Sequence, residues 1–171
     1  MYRVVRYGNS ALRRKAKPVE RVDASVRKLA QDMLASMYAE KGLGLAAEQI
    51  GRNEAICVID VPAEQACGVP MPLVLVNPEI IDLEGEQVGQ EGCLSFPGIF
   101  VNIARAETVT VRYLDLEGRQ QTVVVHGLLA RACQHEMDHL NGVLLVDRMS
   151  AVQKVASAGR LKRLKKEGRR E

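Results

Sequence analysis

The stretch Gly127-Leu-Leu-Ala-Arg-Ala-Cys-Gln-His-Glu-Met-Asp-His-Leu140 has helical apolar spacing, and Asn141-Gly142 stops it. Within it stands His135-Glu-Met-Asp-His139. Two histidines four residues apart lie one turn apart on one helix face, so both imidazoles reach a single metal ion. Glu136, beside the first histidine, is then placed against a water on that ion. A catalytic ion also needs a third protein ligand and an open position. Downstream of His139 there is no further histidine, and the acids are Asp147, Glu167 and Glu171, the last two in the tail. Asp147 stays open as that ligand. The better candidate lies upstream, Cys93 in Glu91-Gly-Cys-Leu-Ser95, at a predicted strand edge or turn. One thiolate with two imidazoles suits Zn²⁺ or Fe²⁺.

Working outward, residues 23–42 predict a helix. Asp23 is its N-cap, Val26, Leu29, Ala30, Met33, Leu34 and Met37 form its apolar face, and Gly42 is its stop. Short β-type runs follow at 54–60, 73–76, 80–83, 101–103, 108–114 and 122–125. Asp115-Leu-Glu-Gly118 joins the last two as a hairpin. No long helix separates these strands, which argues against parallel βαβ winding. A final helix is expected from Ser150 into the basic tail, with Val152, Val155, Ala156, Leu161 and Leu164 as its apolar positions. The predicted class is α+β in a single domain: antiparallel or mixed β-sheets around the metal-binding helix, with a C-terminal helix. Residues 1–150 are the expected catalytic part and 151–171 a basic helical tail of the same domain. Cys133 reads as core and His126 as a strand end.

The chain has 171 residues, 47% apolar and 26% charged, the composition of a globular domain. No apolar run approaches the ~18 residues of a membrane span, and no signal peptide is predicted at the N-terminus. Four cysteines without a C-x-x-C pair then predict free thiols in the cytoplasm. Six aromatic residues and no Trp argue against a stacking surface for single-stranded nucleic acid. The net charge of +3 conceals a pattern. Residues 1–28 carry nine Lys/Arg against two Asp/Glu, 29–150 seven against seventeen, and 151–171 eight against two.

Three segments resemble the signature motifs of bacterial peptide deformylases: Gly42-Leu-Gly-Leu-Ala-Ala-Glu-Gln49, Glu91-Gly-Cys-Leu-Ser95 and Gln134-His-Glu-Met-Asp-His-Leu-Asn-Gly142. Their order and separations also agree, and Tyr7-Gly-Asn-Ser-Ala-Leu-Arg13 is similar to the family's N-terminal segment. The resemblance implies that Cys93, His135 and His139 bind the metal. It names Fe²⁺ in the cell, with Zn²⁺, Ni²⁺ or Co²⁺ able to substitute. The implied substrate is a nascent peptide bearing N-formyl-methionine. Water at the fourth metal position attacks the formyl carbon, Glu136 acts as base and then acid, and formate leaves. Gln49 and the Leu94 N–H are the implied oxyanion donors. Leu43, Leu128 and Ala132 wall the implied methionine pocket, although plain core packing accounts equally for the last two. Gly44 admits substrate backbone. Arg105 is grouped with the substrate-binding residues; it orients Glu91, faces substrate, or is a surface residue. Arg131 falls near the pocket face, where its stem packs and its head is expected to reach water.

Two departures from the family pattern stand out, Ser10 and Glu48, the latter expected to add negative charge near the site and alter substrate approach. Two other readings compete: a zincin-like endopeptidase, and a structural metal site on an RNA-associated protein. No sequence-specific nucleic-acid binding is expected. The tail Arg160-Leu-Lys-Arg-Leu-Lys-Lys166 is either a ribosome-docking element, as in the family, or a solvated helix. The basic N-terminal segment has no assigned role.

Overall fold

A computed structural model describes residues 1–170. Helix α1 spans Ala24–Ala39. The Asp23 carboxylate caps it, accepting from the Ser25 and Val26 N–H groups at 2.9 and 3.1 Å. The left-handed residue that turns the chain out is Lys41 (φ 56°), not the expected Gly42. Gly42 instead leaves room for Leu94, whose Cδ1 would lie 2.7 Å from a Cβ there and would have to shift.

Strands β1 (Gly44–Ala46), β2 (Ile56–Ile59), β3 (Leu73–Glu84), β6 (Thr108–Leu114) and β7 (Gln120–His126) form one sheet in the order β1-β2-β3-β6-β7. Strands β4 (Gln87–Gly92) and β5 (Phe100–Arg105) form a second, two-stranded sheet. Every pairing between these strands is antiparallel. The runs expected at 73–76 and 80–83 are one strand. Its register shifts past Asn77-Pro78, where proline offers no N–H to the ladder. The expected hairpin is present, closed by Asp115, whose Oδ1 accepts from the Glu117 and Arg119 N–H groups. Strand β4 has no counterpart among the expected runs: its sequence, Gln-Val-Gly-Gln-Glu-Gly, is mostly polar and gives no apolar run.

The larger sheet lies between two helices. Its strands alternate, so β2 sends Ile56 and Val58 toward α1 and Cys57 and Ile59 toward α2 (Gly127–Leu140). Burial on both faces explains why β2 reads as an unbroken apolar run. Leu129, Ala130, Cys133, Met137 and Leu140 anchor α2 in this core. Cys133 is therefore core, as expected. A third cluster joins Leu12, Phe96, Val101 and Ile103 to α3 (Leu145–Arg148) and to Leu164.

The single expected C-terminal helix is two: α4 (Ala151–Ala156) and α5 (Ala158–Gly168), broken at Ser157. Val152 and Val155 face outward at 79% and 77% exposure, and Leu164 alone of the expected apolar positions is buried. Helix α5 packs against the N-terminal segment. Arg6 Nη1 donates to Glu167 at 2.9 Å, and a Cβ at Gly8 or Gly168 would collide with the backbone of Lys165 or Tyr7. Two basic ends thus meet through a carboxylate.

Candidate metal centre and active-site cleft

Helix α2 carries its anchors on one face and His135 and His139 on another, with ring centroids 5.0 Å apart. Cys93 follows the last residue of β4 and brings its thiol to the same point. The Cys93 Sγ to His139 Nε2 distance is 3.3 Å, and one ligand atom from each of the three residues lies within 4.8 Å of the others. Metal–sulfur and metal–nitrogen bonds of ~2.3 and ~2.0 Å at tetrahedral angles separate such atoms by roughly 3.5 Å. The donor set fits a divalent ion. Among the described residues this is the one such cluster. Asp147, the downstream alternative, instead accepts from Arg13 and from the Leu144 N–H.

His135 is oriented from behind. Its Nδ1 lies 2.9 Å from Glu91 Oε2, and an ionised carboxylate only accepts, so Nδ1 carries the proton and Nε2 faces the metal position. Burial alone would raise the Glu91 pKa, but hydrogen bonds from Arg105 and His135 hold it well below the usual carboxylate range. Burial, with the nearby His135, pushes the His139 pKa well down, favouring the neutral imidazole a metal requires.

Glu136 is buried, and its Oε2 has no hydrogen-bond partner. Burial pushes its pKa up to about 7. Its other oxygen lies against Gly44, where a Cβ would collide with it. A side chain at Gly44 would therefore crowd Glu136. Gln49 is held through its Oε1, which accepts from the Ala46 N–H at 2.9 Å. This turns Nε2 toward Cys93 Sγ (3.6 Å) and Ser95 Oγ (3.3 Å).

These groups open into a cleft of about 450 Å³. Leu43, Gly44, Gln49, Cys93, Leu94, Leu128, Ala132, His135 and Glu136 all line it. Phe100 also lines it, 65% exposed, its ring over Gly92. Nothing in the sequence singled it out, because a lone aromatic in a strand carries no pattern.

Three sequence expectations change here. Arg105, grouped with substrate-binding residues, is buried and does not line the cleft; of its three readings the hydrogen bonds bear out the orientation of Glu91, and Nη1 also donates to Asp138. Arg131 does not send its head to water. Its Nη1 donates to Glu91 Oε1 at 2.7 Å and to the Ile103 carbonyl at 2.9 Å. Glu48, expected to place charge near substrate, is 0% exposed and outside the cleft, and neither of its oxygens has a partner. Burial pushes its pKa up to about 8.

The polypeptide deformylase family model matches residues 1–155. A peptide deformylase of Alkalilimnicola ehrlichii is 46% identical over 163 residues, 95% of this chain and 90% of that one. One from Prochlorococcus marinus subsp. pastoris is 50% identical over 150 residues, 86% of this chain and 73% of that one. Among solved structures, the Synechococcus elongatus peptide deformylase in complex with actinonin superposes with a TM-score of 0.85 at 45% identity, covering 92% of this chain and 86% of that one. The Thermus thermophilus enzyme gives 0.88 at 40% identity, covering 99% and 100%. The family model spans most of the chain, and these relatives match it over most of their own length, so the chain belongs to the polypeptide deformylase family.

Proposed function

We propose that this protein hydrolyses the formamide at the N-terminus of formyl-methionyl peptides, releasing formate and a peptide with a free amine. One observation carries the reading: a Cys-His-His donor set, a buried unpaired carboxyl and an oriented amide N–H converge in one cleft. Cys93 Sγ and the Nε2 atoms of His135 and His139 would hold the metal. When bound, a divalent ion supplies the Lewis acidity that brings the pKa of a water toward neutrality. A thiolate donates charge and weakens that effect, which makes a nearby base useful.

Glu136 is that base. Its elevated pKa suits a group that takes a proton from the attacking water and returns it to the leaving amine. The Gln49 amide and the Leu94 N–H donate to the developing oxyanion. Leu43, Leu128 and Ala132 flank the methionine side chain. Arg105 acts through Glu91 and not on substrate.

Family membership favours Fe²⁺ as the ion in the cell, with Zn²⁺, Ni²⁺ or Co²⁺ able to replace it. No described helix is long and apolar enough to cross a membrane. A formyl-peptide hydrolase meets its substrate where translation occurs, so the proposed location is the cytoplasm and the proposed partner the ribosome. Helix α5 suits the second role. It turns Leu164 inward and leaves Lys162, Arg163, Lys165 and Lys166 exposed, while Arg160 donates to the carbonyl of Gly98 at the cleft rim. The test is formate release from formyl-Met-Ala-Ser, with and without a strong chelator. Chelator-sensitive release supports the reading. Cleavage of an internal peptide bond instead would favour the endopeptidase.

A further inference from the structure

Beyond the cleft, a chain of planar ionic groups crosses α2 from the surface to the metal position. It starts at Arg148, the last residue of α3. Its Nε and Nη2 donate to the two oxygens of Asp138 at 3.0 and 2.6 Å. Asp138 Oδ2 also accepts from Arg105 Nη1 at 2.6 Å. Arg105 then donates through Nε and Nη2 to both oxygens of Glu91, at 2.8 and 3.0 Å. Glu91 Oε2 accepts from His135 Nδ1. Arg131 braces Glu91 from the other side.

Each link but the one to His135 pairs a rigid guanidinium with a rigid carboxylate, and two of the links are bidentate. A bidentate pair fixes planes as well as positions. Asp138 has one other partner, Arg105. Without Arg148 its carboxylate is held by that one bond alone, so its plane is no longer fixed and the Nη1 support of Arg105 is looser. Glu91 then holds the His135 ring less firmly.

We propose that Arg148 is a positioning residue for the metal ligand His135, acting through Asp138, Arg105 and Glu91. Arg148 itself is half-exposed, at the rim of a second cleft on the far side of α2. Replacing it opens no void in the core. Its contribution is therefore separable from packing, unlike that of Arg105.

The test rests on the metal reading above and uses the full-length Zn²⁺-loaded protein. Zn²⁺ release into excess chelator is followed alongside kcat and KM for formyl-Met-Ala-Ser. Groups that orient metal ligands typically change metal affinity 10- to 100-fold. For Arg148→Leu, about 10-fold faster release is expected, with lower kcat and unchanged KM. Arg148→Lys, which keeps the charge and one hydrogen bond, should fall between. In an Asp138→Asn background, Arg148→Leu should add no further effect. Arg112→Leu, which removes a surface ion pair with Glu79, is the control. Release within twofold of wild type overturns the proposal, as does a full additive effect on Asp138→Asn or an equal effect from Arg112→Leu. A wild-type protein that binds no Zn²⁺ sinks the metal reading itself, a distinct result.

Discussion

Glu48→Gln should change how stability depends on pH. The carboxyl is fully buried with neither oxygen paired. Desolvation raises its pKa from 4.5 to about 8, with the charges of Glu54 and Glu136 adding to the rise. Arg14 opposes them. A carboxyl whose pKa is higher folded than unfolded keeps its proton in the native state while the unfolded chain has lost it. Its contribution to stability is intact below pH ~4.5 and is lost steadily as pH rises toward about 8. The slope is ~1.4 kcal/mol per pH unit inside that window. Between pH 5.5 and 7.5 this one group should remove about 2–3 kcal/mol of stability from the wild type. Gln has the same shape and no such titration. Urea unfolding of both proteins at pH 5.5, 6.5 and 7.5 isolates the effect, because other titrating groups cancel in the difference. The difference should move by about 2–3 kcal/mol in favour of the variant across those two units. A difference flat to within ~0.5 kcal/mol would show that Glu48 is ionised in the native protein, and the burial argument would fail.

Glu136→Gln should retain bound metal, measured by elemental analysis, while formate release falls by two or more orders of magnitude, about the span of general base catalysis. Gln49→Ala should lower kcat roughly 100-fold, the effect of one lost oxyanion donor at ~3 kcal/mol, with metal content unchanged. Gly44→Ala places a methyl on Glu136 Oε1; kcat should collapse although no proposed reacting group has been altered, and intact activity would mean that Glu136 is free to move. Truncation after Ser150 should weaken salt-sensitive ribosome binding in sedimentation assays. It should also lower stability by about 1.5–3 kcal/mol through exposure of the Leu164 contacts.

The elements with a clean period were legible in the sequence. Helix α2, the apolar face of α1 and the β6–β7 hairpin each repeat a pattern that packing on one side enforces. The cluster of Cys93, His135 and His139 was legible as a candidate because two sit at helical spacing and the third stands in a motif of its own. What escaped was set by tertiary partners. Strand β4 is polar because it pairs only with β5 and carries Glu91 inward. Arg131 looked like an awkward resident of an apolar pocket because its counter-charge, Glu91, is 40 residues away. Glu48 was expected to bring charge near the site for the same reason: burial belongs to the fold, and no local rule reports it. The break between α4 and α5 was hinted at by Gly159 but not by any proline.

The contact between Tyr7–Gly8 and α5 also bears on when the protein finishes folding. Arg6 and Glu167 are 161 residues apart. Contacts that span so much chain close late. The larger sheet and α1 contain only residues before 127, so they can assemble while the rest of the chain is still being made. The third cluster cannot, because Leu164 belongs to it. Cys93 packs at the edge of that cluster, so the pocket wall that presents the thiol is completed only after α5 has emerged. Pulse-labelling hydrogen exchange on refolding chains should then find β2 and β3 protected early and residues 96–103 protected last.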